Sequence, residues 1–251
     1  MVKILFNGCN GRMGKAIAEL IETKEDMRIV VGVDLVPVAG NFPVFASLQE
    51  VEDIEFDVII DFSHPSGLEN LLTYSSEKKV PLVIATTGLS PAQLESLKEY
   101  SKKIPIFQSA NMSIGICLLN DLVKKAAVFL GDDFDIEIVE RHHNKKLDAP
   151  SGTAIMIADA INSVNHDKYE YIYDRHSKRA ERDKREIGIS AVRGGNIIGD
   201  HEVIFAGNNE VLEISHKAIS RNIFADGAVR AAEFIYKKGN GLYNMNDLIA
   251  E

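Results

Sequence analysis

Cysteine is scarce in this chain. The 251 residues include two, Cys9 and Cys117, far apart and with no Cys-x-x-Cys or Cys/His zinc spacing around either. That argues against a disulfide framework and a structural zinc site, and reduced thiols are expected. Positive charge is also short: 28 Lys and Arg stand against 37 Asp and Glu, for a net charge of -9. Nucleic acid and anionic membranes select basic partners, so neither is expected here. Long apolar runs are missing as well. The opening MVKILFNGCNGRMG reaches its glycines too soon for a signal segment, and the longest apolar stretches fall far short of a membrane span. A cytoplasmic protein is expected. There is no solenoid-period repeat and no low-complexity tract. What remains is an ordinary globular composition, 45% hydrophobic and 26% charged.

The first part of the chain alternates short apolar runs with helical patterns. Strands are expected at 2–6, 29–33, 58–62, 82–85 and 104–107, and helices at 12–23, 66–78 and 91–102. Nearly all-apolar strands separated by helices indicate a parallel sheet covered on both faces. After Ser113 the rhythm changes. A helix is expected at 116–130, a strand at 134–139 leading into a polar loop, and a helix from Thr153 to about Val164. Strands at 187–192, 202–206 and 211–215, with turns at Gly194-Gly195 and Gly207-Asn208-Asn209, suggest an antiparallel meander. A last helix is expected at 224–238. The charged run from Arg175 to Glu186 holds both signs and reads as a solvated surface segment. The fold class is therefore α/β: a Rossmann-like, doubly wound parallel sheet, joined to an α+β domain on a mixed sheet. Residues 1–112 and 220–251 are assigned to the dinucleotide domain, and 113–219 to a domain for substrate binding and oligomerisation.

Gly8-Cys9-Asn10-Gly11-Arg12-Met13-Gly14 follows the first strand and opens the first helix. Glycines let the backbone turn sharply and approach a phosphate, and the helix start offers unpaired N–H groups and a positive dipole end. The spacing is GxxGxxG rather than the commoner GxGxxG, so position in the first βα turn carries much of the argument. Asp34 ends the second strand, 26 residues beyond Gly8, where an acid can accept hydrogen bonds from ribose hydroxyls. Leu35, Val36 and Pro37 follow it, with no adjacent cation for a 2′-phosphate. NADH is thus favoured over NADPH, although Arg12 keeps dual use open. Cys9 reads as small filler in the loop and Cys117 as core.

The stretch from Arg141 to Lys146 carries three permanent cations and two histidines with no acid, a local reversal of sign in an acidic protein. Pro150 then stops any preceding regular structure, Ser151 suits an N-cap, and Gly152-Thr153 opens a helix. Helix-start amides and hydroxyls can hold a carboxylate, Lys146 can add charge, and a histidine can donate a proton near neutral pH. No metal is expected: His142 and His143 are adjacent, and neighbours on a strand point to opposite faces.

These residues resemble a known family. Glu140-x-His142-His143-x-x-Lys146-x-Asp148-Ala149-Pro150-Ser151-Gly152-Thr153-Ala154 is similar to the signature of dihydrodipicolinate reductases. Gly11-Arg12-Met13-Gly14, Thr86-Thr87-Gly88, Ala110-Asn111-Met112-Ser113, Arg193-Gly194-Gly195 with Gly199-Asp200-His201, and His216-Lys217-Ala218 with Ser220-Arg221 also fit its pattern, so the resemblance spans essentially the full length. It implies reduction of 4-hydroxy-tetrahydrodipicolinate (dihydrodipicolinate), a small dicarboxylate, to tetrahydrodipicolinate with NADH or NADPH in lysine and diaminopimelate biosynthesis. It implies His142 as proton donor and Lys146 as its partner, with His143, Ser151, Gly152 and Thr153 binding substrate carboxylates. Gly8, Cys9, Asn10, Gly11, Arg12, Met13, Asp34, Ala85, Thr86, Thr87, Gly88, Ala110, Asn111 and Met112 would line the cofactor. It further implies a homotetramer formed through the second domain's sheets, and closure of one domain on the other. Two positions depart from some members: Leu35 stands where they have Arg, and Met112 where they have Phe. The implied chemistry is hydride transfer to C4 of a conjugated imine, with His142 supplying the balancing proton. Rival readings are another two-domain NAD(P)-dependent dehydrogenase, which has no need of the His-His/Lys/Pro-Ser-Gly-Thr set, and a non-catalytic NAD(H) sensor, which would tolerate loss of His142 and Lys146.

Overall fold

A computed structural model describes residues 1–38, 40–166, 168–177 and 179–250. In chain order the elements are β1 (Val2–Asn7), α1 (Arg12–Glu22), β2 (Met27–Val33), β3 (Val44–Phe45), β4 (Val58–Asp61), α2 (Leu68–Lys78), β5 (Leu82–Ile84), α3 (Pro91–Ser101), β6 (Pro105–Gln108) and α4 (Ile114–Leu130). They continue with β7 (Asp135–His142), α5 (Gly152–Ser163), β8 (Glu170–Ile172), β9 (Glu186–Arg193), β10 (Asp200–Ala206), β11 (Val211–Lys217), α6 (Asn222–Ile235), β12 (Gly241–Tyr243) and α7 (Met245–Ile249). The chain divides into two compact units: residues 1–114 with 222–250, and residues 115–221.

The first unit is a seven-stranded sheet of order β12-β6-β5-β4-β1-β2-β3, with every pairing parallel. Its central strands are apolar throughout because both faces are covered. Leu5, Ile59, Leu82, Ile84 and Ile106 pack with Leu71 and Leu72 of α2 and Leu97 of α3. By the alternation of a strand, Ile4, Phe6, Ile60 and Phe107 point to the opposite face. There α6 contacts β4, β5 and β6, and α1 packs on α6. Gly227 permits a close approach within this unit: a Cβ there would lie 1.7 Å from the Met112 carbonyl oxygen. The strand order reverses direction between β1 and β4, which opens a crevice at their carboxyl ends.

The second unit is a five-stranded mixed sheet of order β11-β10-β7-β9-β8. Burial along β7 and β10 alternates strictly. Ile136, Ile138, Val203 and Phe205 therefore meet Ile187 and Ile189 of β9, Leu119 and Val123 of α4, and Ile157 and Ile161 of α5 in one core.

The expected antiparallel meander of three strands does not form. β10 and β11 make the hairpin, but β9 pairs in parallel with β7, which lies between β9 and β10. The Gly194-Gly195 segment is thus a crossover: Gly194 N–H donates to the His142 carbonyl and Asn144 N–H to the Gly195 carbonyl. β7 also runs on to His142 rather than ending at Val139, so His142 lies on a strand while His143 begins the loop. The charged run behaves differently from a solvated segment at two positions. Arg182, its side chain 17% exposed, ion-pairs with Asp135 and Glu137 and donates to the Ile136 and Glu186 carbonyls. Arg175 bridges Glu137 and Glu186. Lys178, in the same run, lies outside the described residues. Among the described residues no helix is long and apolar enough to cross a membrane.

Candidate active site

In the first unit, β1 delivers the chain into the glycine loop and α1 leaves it. Gly8 has φ +80°, and a Cβ there would meet the Phe62 carbonyl oxygen at 2.6 Å. A Cβ on Gly14 would stand 2.2 Å from the Cys9 carbonyl oxygen, whereas one on Gly11 would meet only the Gly8 oxygen, at 3.4 Å. Gly8 and Gly14 therefore shape the loop, while Gly11 leaves its outer surface open. Gly11 is also the N-cap of α1 and offers no side chain to the first amides. Those N–H groups, with the positive end of the helix, fit a pyrophosphate.

Two cavities open on this loop. One, of about 400 Å³, is lined by Gly11, Arg12, Met13, Ala85, Thr86, Thr87, Ala110 and Met112, together with Gly14, Phe62, Ser63 and Phe224. The other, of about 410 Å³, includes Gly8, Gly11, Asp34, Leu35, Ser47 and His64. Cys9, Asn10, Gly88 and Asn111 line neither. Cys9 is buried, and its thiol is pushed up to about 11 by burial and then by the Asp34 charge, so it is inert filler. Asn10 serves the second strand's acid: its N–H donates to Asp34 Oδ2 at 2.9 Å, and Val36 N–H donates to Oδ1 at 3.1 Å. Both carboxylate oxygens are thereby oriented by backbone.

Phe62, Ser63 and His64 were not singled out from sequence. Their signal is positional, since they follow β4 at the carboxyl edge beside the switch point. Beneath them Asp61, 2% exposed, accepts from Asn7 Nδ2 at 2.7 Å, Ser63 Oγ at 2.6 Å and Thr86 Oγ1 at 2.6 Å. Burial raises its pKa, and the hydrogen bonds from Ser63, Thr86 and Asn7 oppose that rise.

In the second unit, strand register assembles the charged cluster. The alternation of β7 turns Glu140 and His142 to the same buried face as Ile136 and Ile138. His201 of β10 is the register partner of Glu140, and Arg193 of β9 that of His142. The Glu140 carboxylate is completely buried and forms the hub. Arg193 grips it with two hydrogen bonds of 2.7 Å, His142 Nδ1 lies 2.7 Å from Oε2, and Ser151 N–H donates to Oε1 at 3.0 Å. Burial would raise the Glu140 pKa, but Arg193 and His142 outweigh it and hold the carboxyl below its usual range. Arg193 also donates to the Asp148 carbonyl, which ties the signature loop to β9.

Ser151 caps α5 by accepting from Ala154 N–H at 3.2 Å, and its hydroxyl lies 2.9 Å from His201 Nε2. The His201 and His142 rings pack edge to face, 5.3 Å between centroids. Burial, and then the neighbouring His142, lower the His201 pKa to about 4. Lys146 is paired with Asp148 at 2.9 Å, and this pairing is the first cause of the low Asp148 pKa. His142, Ser151, Gly152 and Thr153 thus share one end of the sheet, with Lys146 and His143 on the adjoining loop. Glu140, Arg193 and His201 belong to the same cluster. All three stood in the sequence pattern, but only strand register reveals what they hold.

Comparison with known proteins covers nearly the whole chain. Residues 2–112 match the family model "Dihydrodipicolinate reductase, N-terminus", and residues 115–249 match "Dihydrodipicolinate reductase, C-terminus". The 4-hydroxy-tetrahydrodipicolinate reductase of Caldanaerobacter subterraneus subsp. tengcongensis is 53% identical over 249 residues, covering 99% of this chain and 98% of the relative. That of Clostridium tetani is 51% identical over 252 residues, covering 99% and 97%. Among solved structures, the dipicolinate-bound dihydrodipicolinate reductase from Paenisporosarcina sp. TG-14 superposes with a TM-score of 0.83 at 25% identity, covering 98% of this chain and 99% of that one.

Proposed function

The chain belongs to the dihydrodipicolinate reductase family, and from that membership we propose how its residues divide the work. It is an NAD(P)H-dependent oxidoreductase that reduces 4-hydroxy-tetrahydrodipicolinate to tetrahydrodipicolinate in lysine and diaminopimelate biosynthesis. When bound, the reduced nicotinamide dinucleotide supplies the hydride. The Arg12 and Met13 amides hold its pyrophosphate, Asp34 its adenosine ribose, and the cavity of Thr86, Ala110 and Met112 its nicotinamide end. NADH is preferred: the cavity that carries Asp34 and Leu35 has no Lys or Arg among its described lining residues, so a 2′-phosphate would face a carboxylate with no counter-charge.

The Ser151 to Thr153 helix start, His143 and Lys146 bind the two carboxylates of the ring. His142 delivers the proton that balances the hydride. The observation that carries this reading is the Glu140 carboxylate, which holds His142 Nδ1 and the Ser151 amide at once. It joins a proton-bearing side chain and an anion-binding helix start in one buried network. The exposed side chains Val211 and Leu212 of β11 support assembly of a tetramer through this sheet, which sedimentation at micromolar concentration tests.

The decisive experiment generates the substrate in situ with its synthase and follows oxidation of NADH and NADPH in separate runs. Turnover with higher kcat/KM for NADH is expected. His142→Gln should lower kcat by about 10²–10⁴ with little change in NADH affinity. Near-full turnover in that variant would remove His142 from the role.

A further inference from the structure

Building on the assignment of His142 as proton donor, we infer that Glu140 is a positioning residue that fixes the tautomer of His142 and so selects Nε2 as the nitrogen that delivers the proton. The carboxylate has no exposure, so its bonding capacity is spent inside the protein. Arg193 donates to both oxygens, Ser151 N–H to Oε1, and His142 Nδ1 lies 2.7 Å from Oε2. All of the other groups around it are donors. An ionised carboxylate can only accept, so Nδ1 must carry hydrogen in both the neutral and the charged ring.

The opposite edge of the ring lies beside a residue with no side chain: a Cβ on Gly199 would stand 3.0 Å from Nε2. The proton accounting follows. The imidazolium gives up its Nε2 proton to the hydride-reduced ring and becomes the neutral Nδ1–H form. Glu140 stays ionised throughout, held by Arg193. The same carboxylate anchors the Ser151 amide, so the acid and the start of α5 keep a fixed separation. No other carboxylate is hydrogen-bonded to the His142 ring among the described residues. His201 meets the ring by its edge alone and bonds instead to Ser151.

The test combines spectroscopy with kinetics on the full-length protein. Two-bond ¹H–¹⁵N correlation of histidine-labelled wild-type protein above the ring's titration should show neutral His142 as the Nδ1–H tautomer. A neutral Nε2–H form would overturn the inference without need of any variant. Glu140→Gln places an amide N–H₂ within reach of Nδ1 and should shift the tautomer to Nε2–H. Its kcat should fall by about 10²-fold, while the Kd for NADH changes less than threefold. Glu140→Asp, shorter by one carbon but still an acceptor, should recover part of kcat. The Glu140→Gln/His142→Gln double variant should be no slower than His142→Gln alone, since Glu140 acts through that ring. Multiplicative loss in the double variant, or full kcat in Glu140→Gln beside an impaired His142→Gln, would overturn the positioning role alone. Full kcat in His142→Gln would instead remove the assignment on which it rests.

Discussion

His201 Nε2 lies 2.9 Å from Ser151 Oγ, the oxygen that caps α5. The other ring nitrogen, Nδ1, is buried without a hydrogen-bond partner, so an imidazolium here would leave a charged N–H unsolvated. This is the physical cause of the depressed pKa of about 4, against an ordinary 6.5.

The depressed value sets the sign of a stability change with pH. Above about pH 6.5 the ring is neutral in both states. As pH falls from there towards 4, the unfolded chain takes up a proton that the folded protein refuses, and stability is lost. Between pH 7 and pH 5 this residue should cost about 2 kcal/mol. Urea unfolding at the two pH values should show that loss in the wild type and a smaller one in His201→Asn.

The glycines of the loop should separate by role. Gly14→Ala forces a methyl against the Cys9 carbonyl at 2.2 Å and should lower the melting temperature sharply. Gly11→Ala makes only an ordinary contact of 3.4 Å and has φ −67°, so it should fold normally. Its methyl would stand over the amides offered to the pyrophosphate, so NADH affinity should drop by about tenfold or more. Fluorescence titration of NADH beside a melting curve for each variant checks both halves. An unchanged affinity in Gly11→Ala would mean that the phosphate does not sit there.

Arg182 and Lys184 both pair with Asp135, but only Arg182 is largely buried, at 17% against 63% side-chain exposure. Arg182→Ala takes one ion partner each from Asp135 and Glu137, which keep Lys184 and Arg175, and removes its donation to two carbonyls, so it should cost about 1–3 kcal/mol. Lys184→Ala should stay within about 0.5 kcal/mol. Equal effects in denaturant unfolding would refute the distinction.

Cofactor preference should answer to Leu35, which is 90% exposed and lines the cavity of Asp34. Leu35→Arg adds a cation able to pair with a 2′-phosphate, an interaction of about 1.5–3 kcal/mol. The ratio of kcat/KM for NADPH over NADH should rise by about tenfold or more. A ratio that does not move would place the 2′ position elsewhere.

Much of the first unit was legible because its signals are local. An apolar strand, three glycines and a helix with Ile17 and Ile21 inward state their own geometry within a few residues, and Asp34 follows from strand length. The second unit was less so. Nothing near Gly194-Gly195 distinguishes a hairpin from a crossover, because the preference of β9 for β7 is decided by partners about fifty residues away. The same non-local register hid the hub: Glu140, His201 and Arg193 come together only when three strands are aligned. Arg182 was read as solvated because a mixed charge run usually is. It turns inward where the Ile136 and Glu186 carbonyls and two acids gather to receive it.

The first unit is built from two separated stretches of chain, with the whole of the second unit threaded between them. α6, the partner of α1, and β12, the strand that borders β6, both belong to the later stretch. During synthesis the six earlier strands must therefore wait with one flank of their sheet uncovered until residues 222–243 have left the ribosome. The second unit has all of its own strands in hand sooner, so order of emergence favours its folding first.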